Sequence, residues 1–277
     1  MAGFSIHPLK GVASFVSIDF FHPENRNACS GRLASREWRE AIRNLFDPKS
    51  RQAADIGCGG GIYTRALADL GAHVTGVDPS PVMLEAAREK STGYETIRWR
   101  LGKAEQTGLM DQSFDIVLLR AVIHHLTDLS GCFRELFRIL KPGGMILVQD
   151  RTPDDVTLPP SGEHLRGMFF EIFPRLKVQE CARRHPSDRV KSAMINAGFL
   201  PPSQRKLWET RTVHPTPAAL EKDLLRRTGR SILHKLSNEE LKQLAFAIRR
   251  RLQSEGRTGP IPDRDRWTLW WAKKEAS

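Results

Sequence analysis

Short apolar runs alternate with helical patterns from residue 52 to residue 149, and no other feature limits the possible folds as strongly. The runs that predict β-strands are 52–56, 73–77, 96–101, 114–119 and 145–149. The stretches with helical spacing between them include 63–70, 81–90 and 130–140. Strands that are apolar almost throughout and are separated by helices pair in parallel and are covered on both faces. The sequence therefore predicts an α/β fold with a mostly parallel, doubly wound sheet.

The alternation stops at both ends of this region. Residues 30–46 have the spacing of an amphipathic helix. After Asp150 the predicted elements are helices at 163–182 and 187–197, strands at 207–213 and 267–272, and a basic helical stretch at 216–256. We therefore divide the chain into a helical lid segment (1–50), a sheet core (51–150), and a remainder (151–277) that completes the sheet and adds helical cap insertions at about 151–182 and 216–256.

The net charge of +11 is concentrated in the second half of the chain. Residues 1–150 contain 18 lysines and arginines against 17 acidic residues, whereas residues 151–277 contain 25 against 15. A basic half of this kind attracts RNA, anionic headgroups or an acidic small molecule, or it is simply a solvated surface. The charge alone does not distinguish these interpretations.

Cysteine usage and hydropathy indicate where the protein works. The four cysteines form no CxxC pair and have no metal-ligand spacing, so neither a disulfide framework nor a metal site is predicted. No stretch reaches the ~18 apolar residues of a membrane span, and the amino-terminus lacks the apolar run of a signal peptide. We therefore expect a cytoplasmic protein.

The strongest local signal is the run ADIGCGGG at 54–61, which lies between a predicted strand and a predicted helix. Small residues at such a turn let the backbone approach a ligand, and the start of the helix offers N–H donors. Asp78 ends the next strand. In a doubly wound sheet both strand ends open into one crevice, where a carboxylate can accept bonds from both hydroxyls of a ribose.

Two cofactor classes fit this pattern. A dinucleotide site requires a glycine at position 62, where this chain has Ile62. Asp55 lies just before the glycines, where it would repel a pyrophosphate. The same carboxylate would attract the ammonium group of S-adenosylmethionine, directly or through water.

Four segments in order resemble the motifs of the class I S-adenosylmethionine-dependent methyltransferases, with the type 11 branch the nearest match. The segments are DIGCGGG (55–61), VDPS (77–80), FDIVLL (114–119) and LKPGG (140–144). The resemblance covers roughly residues 50–150 and implies a Rossmann-like, seven-stranded sheet whose last strand is antiparallel. Residues 267–272 are the candidate for that strand.

The resemblance also assigns cofactor-binding residues. Asp55, Gly57, Gly59 and Gly61 would hold the methionine part and Asp78 the ribose, and Cys58 and Pro79 lie in the same two motifs. Ala104 and Glu105 fall where the family frames the adenine, although Lys103 stands where an acid is common. Arg120 occupies the position whose backbone lines the sulfonium, and its guanidinium could instead meet a carboxylate.

His124 and His125, just after the fourth strand, are the candidate catalytic residues. Methyl transfer is an in-line displacement that depends mainly on alignment, and it needs a base only when the acceptor must lose a proton. An imidazole near neutral pH can supply that base. The alternative interpretation is that both histidines cap a helix or support the cofactor.

Three functions are compatible with the sequence. The first is methylation of a small molecule, which would be anionic or aromatic. The second is methylation of RNA through the basic half, and the third is cofactor binding without catalysis. Candidate pocket aromatics, which could equally be core residues, are Phe20, Phe21, Phe169, Phe170 and Trp208. Candidate phosphate-binding residues, which could equally form a solvated face, are Arg226, Arg227, Arg230 and Arg249–Arg251. The oligomeric state is not readable.

Overall fold

The computed structural model describes residues 21–22, 33–227 and 229–276. Its strands are β1 (Gln52–Ile56), β2 (His73–Asp78), β3 (Ile97–Leu101), β4 (Phe114–Arg120), β5 (Leu140–Asp150), β6 (Ser203–His214) and β7 (Ile261–Lys273). They form one seven-stranded sheet in the order β3-β2-β1-β4-β5-β7-β6. Strands β1 to β5 pair in parallel, and β7 is antiparallel to both β5 and β6. The predicted sheet, including its antiparallel last strand, is confirmed.

Ten α-helices are present in the described residues. They are α1 (Arg36–Arg43), α2 (Ile62–Asp69), α3 (Pro81–Glu89), α4 (Leu129–Ile139), α5 (Pro153–Val156), α6 (Arg166–Ile172), α7 (Pro174–Ala182), α8 (Ser187–Asn196), α9 (Pro217–Leu225) and α10 (Asn238–Ser254). Short 3₁₀ helices lie at Ile123–His125 and Ser231–Lys235. None of the helices in these residues combines the length and apolar character needed to cross a membrane.

Apolar packing covers both faces of the sheet. One cluster joins β1, β4 and β5 to α4 and α8, with Phe133 and Trp270 fully buried. A second cluster covers the other face with α1 and α2 and includes the buried indole of Trp38. This two-sided burial explains why the central strands are apolar throughout.

A third apolar cluster belongs to the helices that follow β5. It combines residues of α6, α7, α9 and α10, among them Phe169, Leu176 and Leu244. The predicted insertion at 216–256 therefore contains two helices that pack on each other and on α6. A capping box formed by Ser237 and Glu240 starts α10.

Two predicted boundaries differ from the structure for identifiable reasons. The helix expected at 163–182 is broken into α6 and α7, because Pro174 disfavours helical backbone at Phe173. The strand expected at 145–149 begins at Leu140, and its added residues contain a register shift, with Gly143 at a φ of +76°.

Strand β7 is longer than predicted because it continues past the rest of the sheet, whereas β6 begins earlier than predicted, at Ser203, by pairing with the part of β7 that lies beside β5. Asp150, the last residue of β5, pairs with Thr268, whereas β6 and β7 go on pairing as far as His214 and Ile261. The two segments 207–214 and 261–267, here named the β6–β7 ribbon, therefore project from the edge at which the parallel strands end. Functional side chains of the ribbon lie beside that edge.

Candidate cofactor and acceptor site

The glycine run forms a tight loop between β1 and α2. Gly57 and Gly61 have φ angles of +70° and +74°, which side-chain-bearing residues rarely adopt. A Cβ atom at Gly57 would overlap Val122, and one at Gly61 would lie 2.6 Å from the ring of Trp99. Both positions therefore require glycine for conformation and for space.

Asp78 joins this loop to the end of β2. The Gly59 N–H donates to one carboxylate oxygen of Asp78 at 2.8 Å, and the Ser80 N–H donates to the other at 2.9 Å. The side chain is buried, and burial raises its pKa. Each oxygen accepts one of these bonds and retains a lone pair, so the carboxylate can still accept from a ligand.

Asp55 lies at the end of β1 beneath the start of α2. One of its oxygens accepts from the Thr64 hydroxyl at 2.6 Å. Burial, with the neighbouring charge of Asp78, raises the pKa of Asp55 to about 6. A carboxyl group with this pKa favours a cationic neighbour, since a nearby positive charge stabilises its ionised form.

The remaining predicted cofactor residues surround the same strand ends. Lys103 and Gln106 bond each other's backbone at 3.1 Å in a tight turn that buries Ala104 and exposes Glu105. The Gly102 N–H donates to the carbonyl of Asp78 at 3.2 Å, which fixes this turn beside β2. Two further residues of the motifs are the exposed Pro79 and the half-buried Cys58. Burial raises the pKa of the Cys58 thiol, so the thiol is protonated.

Arg120 meets a carboxylate, as one of the two sequence interpretations proposed. Its Nη2 atom lies 2.9 Å from Glu209 on β6, and its guanidinium stacks 3.9 Å from the ring centre of Tyr63 and 4.4 Å from that of Trp267. Glu209 also accepts from the side chains of Tyr63 and Gln149. Sequence reasoning missed Tyr63, Glu209 and Trp267, because they come from α2 and from the β6–β7 ribbon, far from Arg120 in the chain.

A bend after β4 positions the two histidines. Ala121 has a φ of +56°, an unusual value for alanine, and its N–H donates to the carbonyl of Gln149 at 2.8 Å. The bend places Val122 against Gly57 and starts the 3₁₀ turn that carries His124 and His125. The loop and the histidines are therefore adjacent parts of one site.

His124 forms a buried pair with Asp150. Its Nδ1 atom lies 2.8 Å from one oxygen of Asp150 and 3.1 Å from the other. Burial lowers the pKa of His124 to about 3, while His124 and Arg184 hold the pKa of Asp150 below its usual range. The imidazole is therefore neutral and donates from Nδ1, which leaves Nε2 as an acceptor. The ring centre of His125 lies 4.0 Å from that of His124, and burial lowers the pKa of His125 as well.

Buried ion pairs connect Asp150 to the helices after β5. Arg184, two residues after the end of α7, donates to Asp150 at 2.8 Å and to Glu180 at 2.6 Å. Glu180 is fully buried and also pairs with Arg183 and with Arg166 of α6. The histidine end of the site is thus held by α6 and α7.

Most candidate phosphate-binding arginines have other partners. Arg230 is buried between Asp223 and Asp263, and Arg227 donates to the carbonyls of Leu233 and Leu236. Arg249 and Arg251 pair with acidic residues on neighbouring helices. Arg227 and Arg230 are thus engaged within the protein, whereas Arg249 and Arg251 stay 40% and 43% exposed beside their acidic partners. Phosphate binding by these arginines stays a prediction.

The candidate pocket aromatics differ in their surroundings. Phe169 and Phe170 lie in the apolar cluster of the helices, which confirms the core interpretation, and Trp208 packs on His164. Phe21 is 57% exposed, and Phe20 lies outside the described residues. A small cleft of about 10 Å³ does exist beside Arg120, and its lining residues are Leu33, Tyr63, Arg120, Glu209, Thr210, Arg211, Asp265 and Trp267.

Comparison with known proteins agrees with this geometry. Residues 54–148 match the family model described as a methyltransferase domain. The demethylmenaquinone methyltransferase of Bacillus licheniformis is 32% identical over 183 residues, which cover 60% of this chain and 77% of that protein. The enzyme of the same name from Tropheryma whipplei is 34% identical over 117 residues, 42% of this chain and 48% of that protein. The chain thus spans about half the length of this second relative.

A solved structure shares the fold. Phosphoethanolamine N-methyltransferase 2 of Haemonchus contortus, in complex with S-adenosylmethionine, superposes with a TM-score of 0.58 at 21% identity. The superposition covers 96% of this chain and 61% of the other. The strand order, the family model and the relatives agree, and this chain therefore belongs to the class I methyltransferases, which use S-adenosylmethionine as their cofactor.

Proposed function

We propose that this protein transfers the methyl group of S-adenosylmethionine to a small-molecule acceptor by in-line displacement. The observation that carries the proposal is the hydrogen bond between the Gly59 N–H and the Asp78 carboxylate. It supports a single cleft in which the glycine loop and a carboxylate face the same ligand. The division into a lid segment (1–50), a cofactor-binding core (51–150) and a remainder with cap insertions (151–277) belongs to the same proposal.

The residues of the loop fit the cofactor. Asp78 keeps one lone pair on each oxygen for the two ribose hydroxyls. Asp55 offers a buried carboxylate to the ammonium group, and Gly57 and Gly61 let the loop pack closely against Val122 and Trp99. The proposed cofactor-binding set remains Asp55, Gly57, Cys58, Gly59, Gly61, Asp78, Pro79, Ala104, Glu105 and Arg120.

The protein's own contribution is alignment, exclusion of water and removal of a proton. When bound, the cofactor supplies a methyl group already activated by a positive sulfonium. Holding the acceptor in line with that methyl group can account for ~7–11 kcal/mol of the barrier. His124 is proposed to accept the acceptor's proton at Nε2, with Asp150 fixing the tautomer and the ring orientation. Because burial lowers the pKa of His124 to about 3, this step depends on the Asp150 carboxylate, which stabilises the imidazolium that forms. We propose that His125, whose ring lies beside that of His124, lines the same side of the acceptor site.

A small-molecule acceptor fits the charges better than RNA does. Arg230, Arg249 and Arg251 are held in ion pairs, so they offer little free charge to a phosphate backbone. The relatives are named as methyltransferases of quinone biosynthesis. From these names we take only the class of the methyl acceptor, which is a small molecule. The 25 basic residues of 151–277 favour the RNA alternative. The non-catalytic alternative is favoured by Lys103, which stands where an acid is common in the family.

A transfer assay separates the three functions. The purified protein is given methyl-labelled S-adenosylmethionine with either a small-molecule extract or total RNA from the same cells. We expect label in the small-molecule fraction, with yields that change little with salt. Label in RNA that falls steeply with added salt would favour the RNA alternative. Tight cofactor binding with no S-adenosylhomocysteine formed from either pool would indicate a non-catalytic protein.

Removing the Asp78 charge should weaken cofactor binding. Asp78→Asn loses charge-assisted bonds from the Gly59 and Ser80 N–H groups and to the ribose, each worth ~1.5–3 kcal/mol. We expect the Kd for S-adenosylhomocysteine, measured by calorimetry, to rise roughly 10–100-fold. Asp47→Asn, an exposed acid before β1, is the matched control. Equal affinities for both variants would show that Asp78 does not bind the ribose.

The raised pKa of Asp55 predicts a pH-dependent affinity. The ammonium group of the ligand binds the ionised carboxylate, and ionisation is complete only above a pKa of about 6. Affinity for S-adenosylhomocysteine should therefore be level above pH 7 and fall below about pH 6 by up to about tenfold per pH unit. Asp55→Asn should bind more weakly at pH 7.5 and lose most of this slope. Parallel pH profiles for the two proteins would contradict the assignment.

Replacing His124 should slow transfer without weakening cofactor binding. For an acceptor that must lose a proton, His124→Ala should reduce kcat by about 10²–10⁴-fold. The same should hold for the double variant with His125→Ala, and the Kd for S-adenosylhomocysteine should stay unchanged. The control His73→Ala alters an exposed imidazole at the start of β2. Unchanged turnover in the double variant would remove both histidines from the mechanism.

A further inference from the structure

Arg151 is a buried cation whose donors are only partly used. It directly follows β5 at the edge where the parallel strands end, and its side chain is 12% exposed. Among the described residues, its Nε and Nη1 atoms are buried without a hydrogen-bond partner. The carboxylate of Asp265 lies 3.7 Å from Nη1, beyond hydrogen-bond distance. Two donor nitrogens of a charged group therefore lack an acceptor.

The nearby carboxylates are already occupied by other arginines. Asp265 accepts from Arg166 at 3.0 Å, and Asp150 accepts from Arg184 at 2.8 Å. Glu180 pairs with both of these arginines and with Arg183. Burial and the charges of Arg166 and Arg184 lower the pKa of Arg151 to about 9. Arg151 is therefore the cation of this network that has no acceptor of its own.

Leaving such donors unpaired is costly. An unsatisfied buried polar group costs ~1–3 kcal/mol, and more when it is charged. A native structure that retains one calls for an explanation, of which an absent ligand is one. The planar guanidinium presents parallel N–H groups that match a carboxylate or a phosphate. The missing acceptor is therefore best supplied by an anion.

A second guanidinium lies at the same place. Arg120 and Arg151 lie 4.4 Å and 4.3 Å from the ring centre of Trp267, and the Nε atom of Arg120 is also buried without a partner in the described chain. Trp267 and Asp265 both line the small cleft beside Arg120. The cleft's 10 Å³ admits about one water-sized group, the size of one oxygen of an anion.

The position indicates which molecule carries the anion. The glycine loop follows β1, whereas Arg151 follows β5, two strands further along the sheet. Arg151 is also next in the chain to Asp150, which holds His124. We propose that Arg151, whose guanidinium lies against the ring of Trp267 as that of Arg120 does, binds an anionic group of the methyl acceptor, either a carboxylate or a phosphate. This inference rests on the proposed function, because it takes the cofactor to occupy the glycine loop.

The test measures anion binding to the protein saturated with S-adenosylhomocysteine. The probes are inorganic phosphate and benzoate, titrated at constant ionic strength adjusted with sodium chloride. We expect at least one probe to bind the unmodified protein, and Arg151→Gln to weaken that binding at least tenfold. Arg151→Lys keeps the charge without the planar fork and should bind at an intermediate level. Arg249→Gln, which removes an arginine on α10 paired with Glu221, should bind like the unmodified protein.

Every result of this comparison either supports or overturns anion binding by Arg151. Binding of phosphate alone or of benzoate alone supports the proposal and identifies the anion. No binding of either probe, or equal binding by Arg151→Gln, overturns it and leaves Arg151 a structural residue. A tenfold loss of S-adenosylhomocysteine affinity in Arg151→Gln also overturns it, because the guanidinium would then serve the cofactor. If Arg151→Gln fails to fold, the same comparisons are made with Arg151→Lys. Failure of the unmodified protein to bind S-adenosylhomocysteine would instead refute the proposed function.

Discussion

The hydrogen bond from the Gly59 N–H to Asp78 ties together the two parts of the chain on which the site depends. The loop after β1 and the carboxylate after β2 are 19 residues apart, yet they lie 2.8 Å apart because parallel neighbouring strands end at the same edge. The left-handed glycines let the loop turn tightly enough for the N–H to reach the carboxylate. The placement of Val122 against Gly57 then extends this arrangement to β4 and its histidines.

The opposite side of the site depends on charge. The β6–β7 ribbon contributes Glu209, Asp265 and Trp267, α7 contributes Glu180, and Arg184 lies just after α7. Buried ion pairs of this kind are costly to break, since removing one partner leaves an uncompensated charge. Two of the arginines in the second half of the chain, Arg166 and Arg230, join the ribbon to the helical insertions by pairing with Asp265 and Asp263. Arg151 differs from these two because its Nε and Nη1 atoms are buried without a hydrogen-bond partner in the described residues.

The sequence predicted the part of the fold that depends on local patterns. Strands β1 to β4, the glycine loop and Asp78 follow from apolar runs and from residues next to them in the chain. The full lengths of β6 and β7 did not follow, because the added residues 203–206 and 261–266 become strand by pairing between β6 and β7 and carry no apolar run of their own. The Arg120–Glu209 pair was equally unreadable, since its members are 89 residues apart and only the fold brings them together. The break between α6 and α7 was also not predicted. The helical spacing of residues 163–182 concealed the break that Pro174 imposes at Phe173.

The central claim is that the loop and Asp78 form one cleft shaped for an adenosyl sulfonium compound. A crystal structure of the protein with S-adenosylhomocysteine tests this most directly. The account predicts both ribose hydroxyls within about 3 Å of the Asp78 oxygens and the amino-acid end of the ligand between the glycine loop and Asp55. A ligand bound elsewhere, or side chains filling the space between the loop and Asp78, would contradict the account.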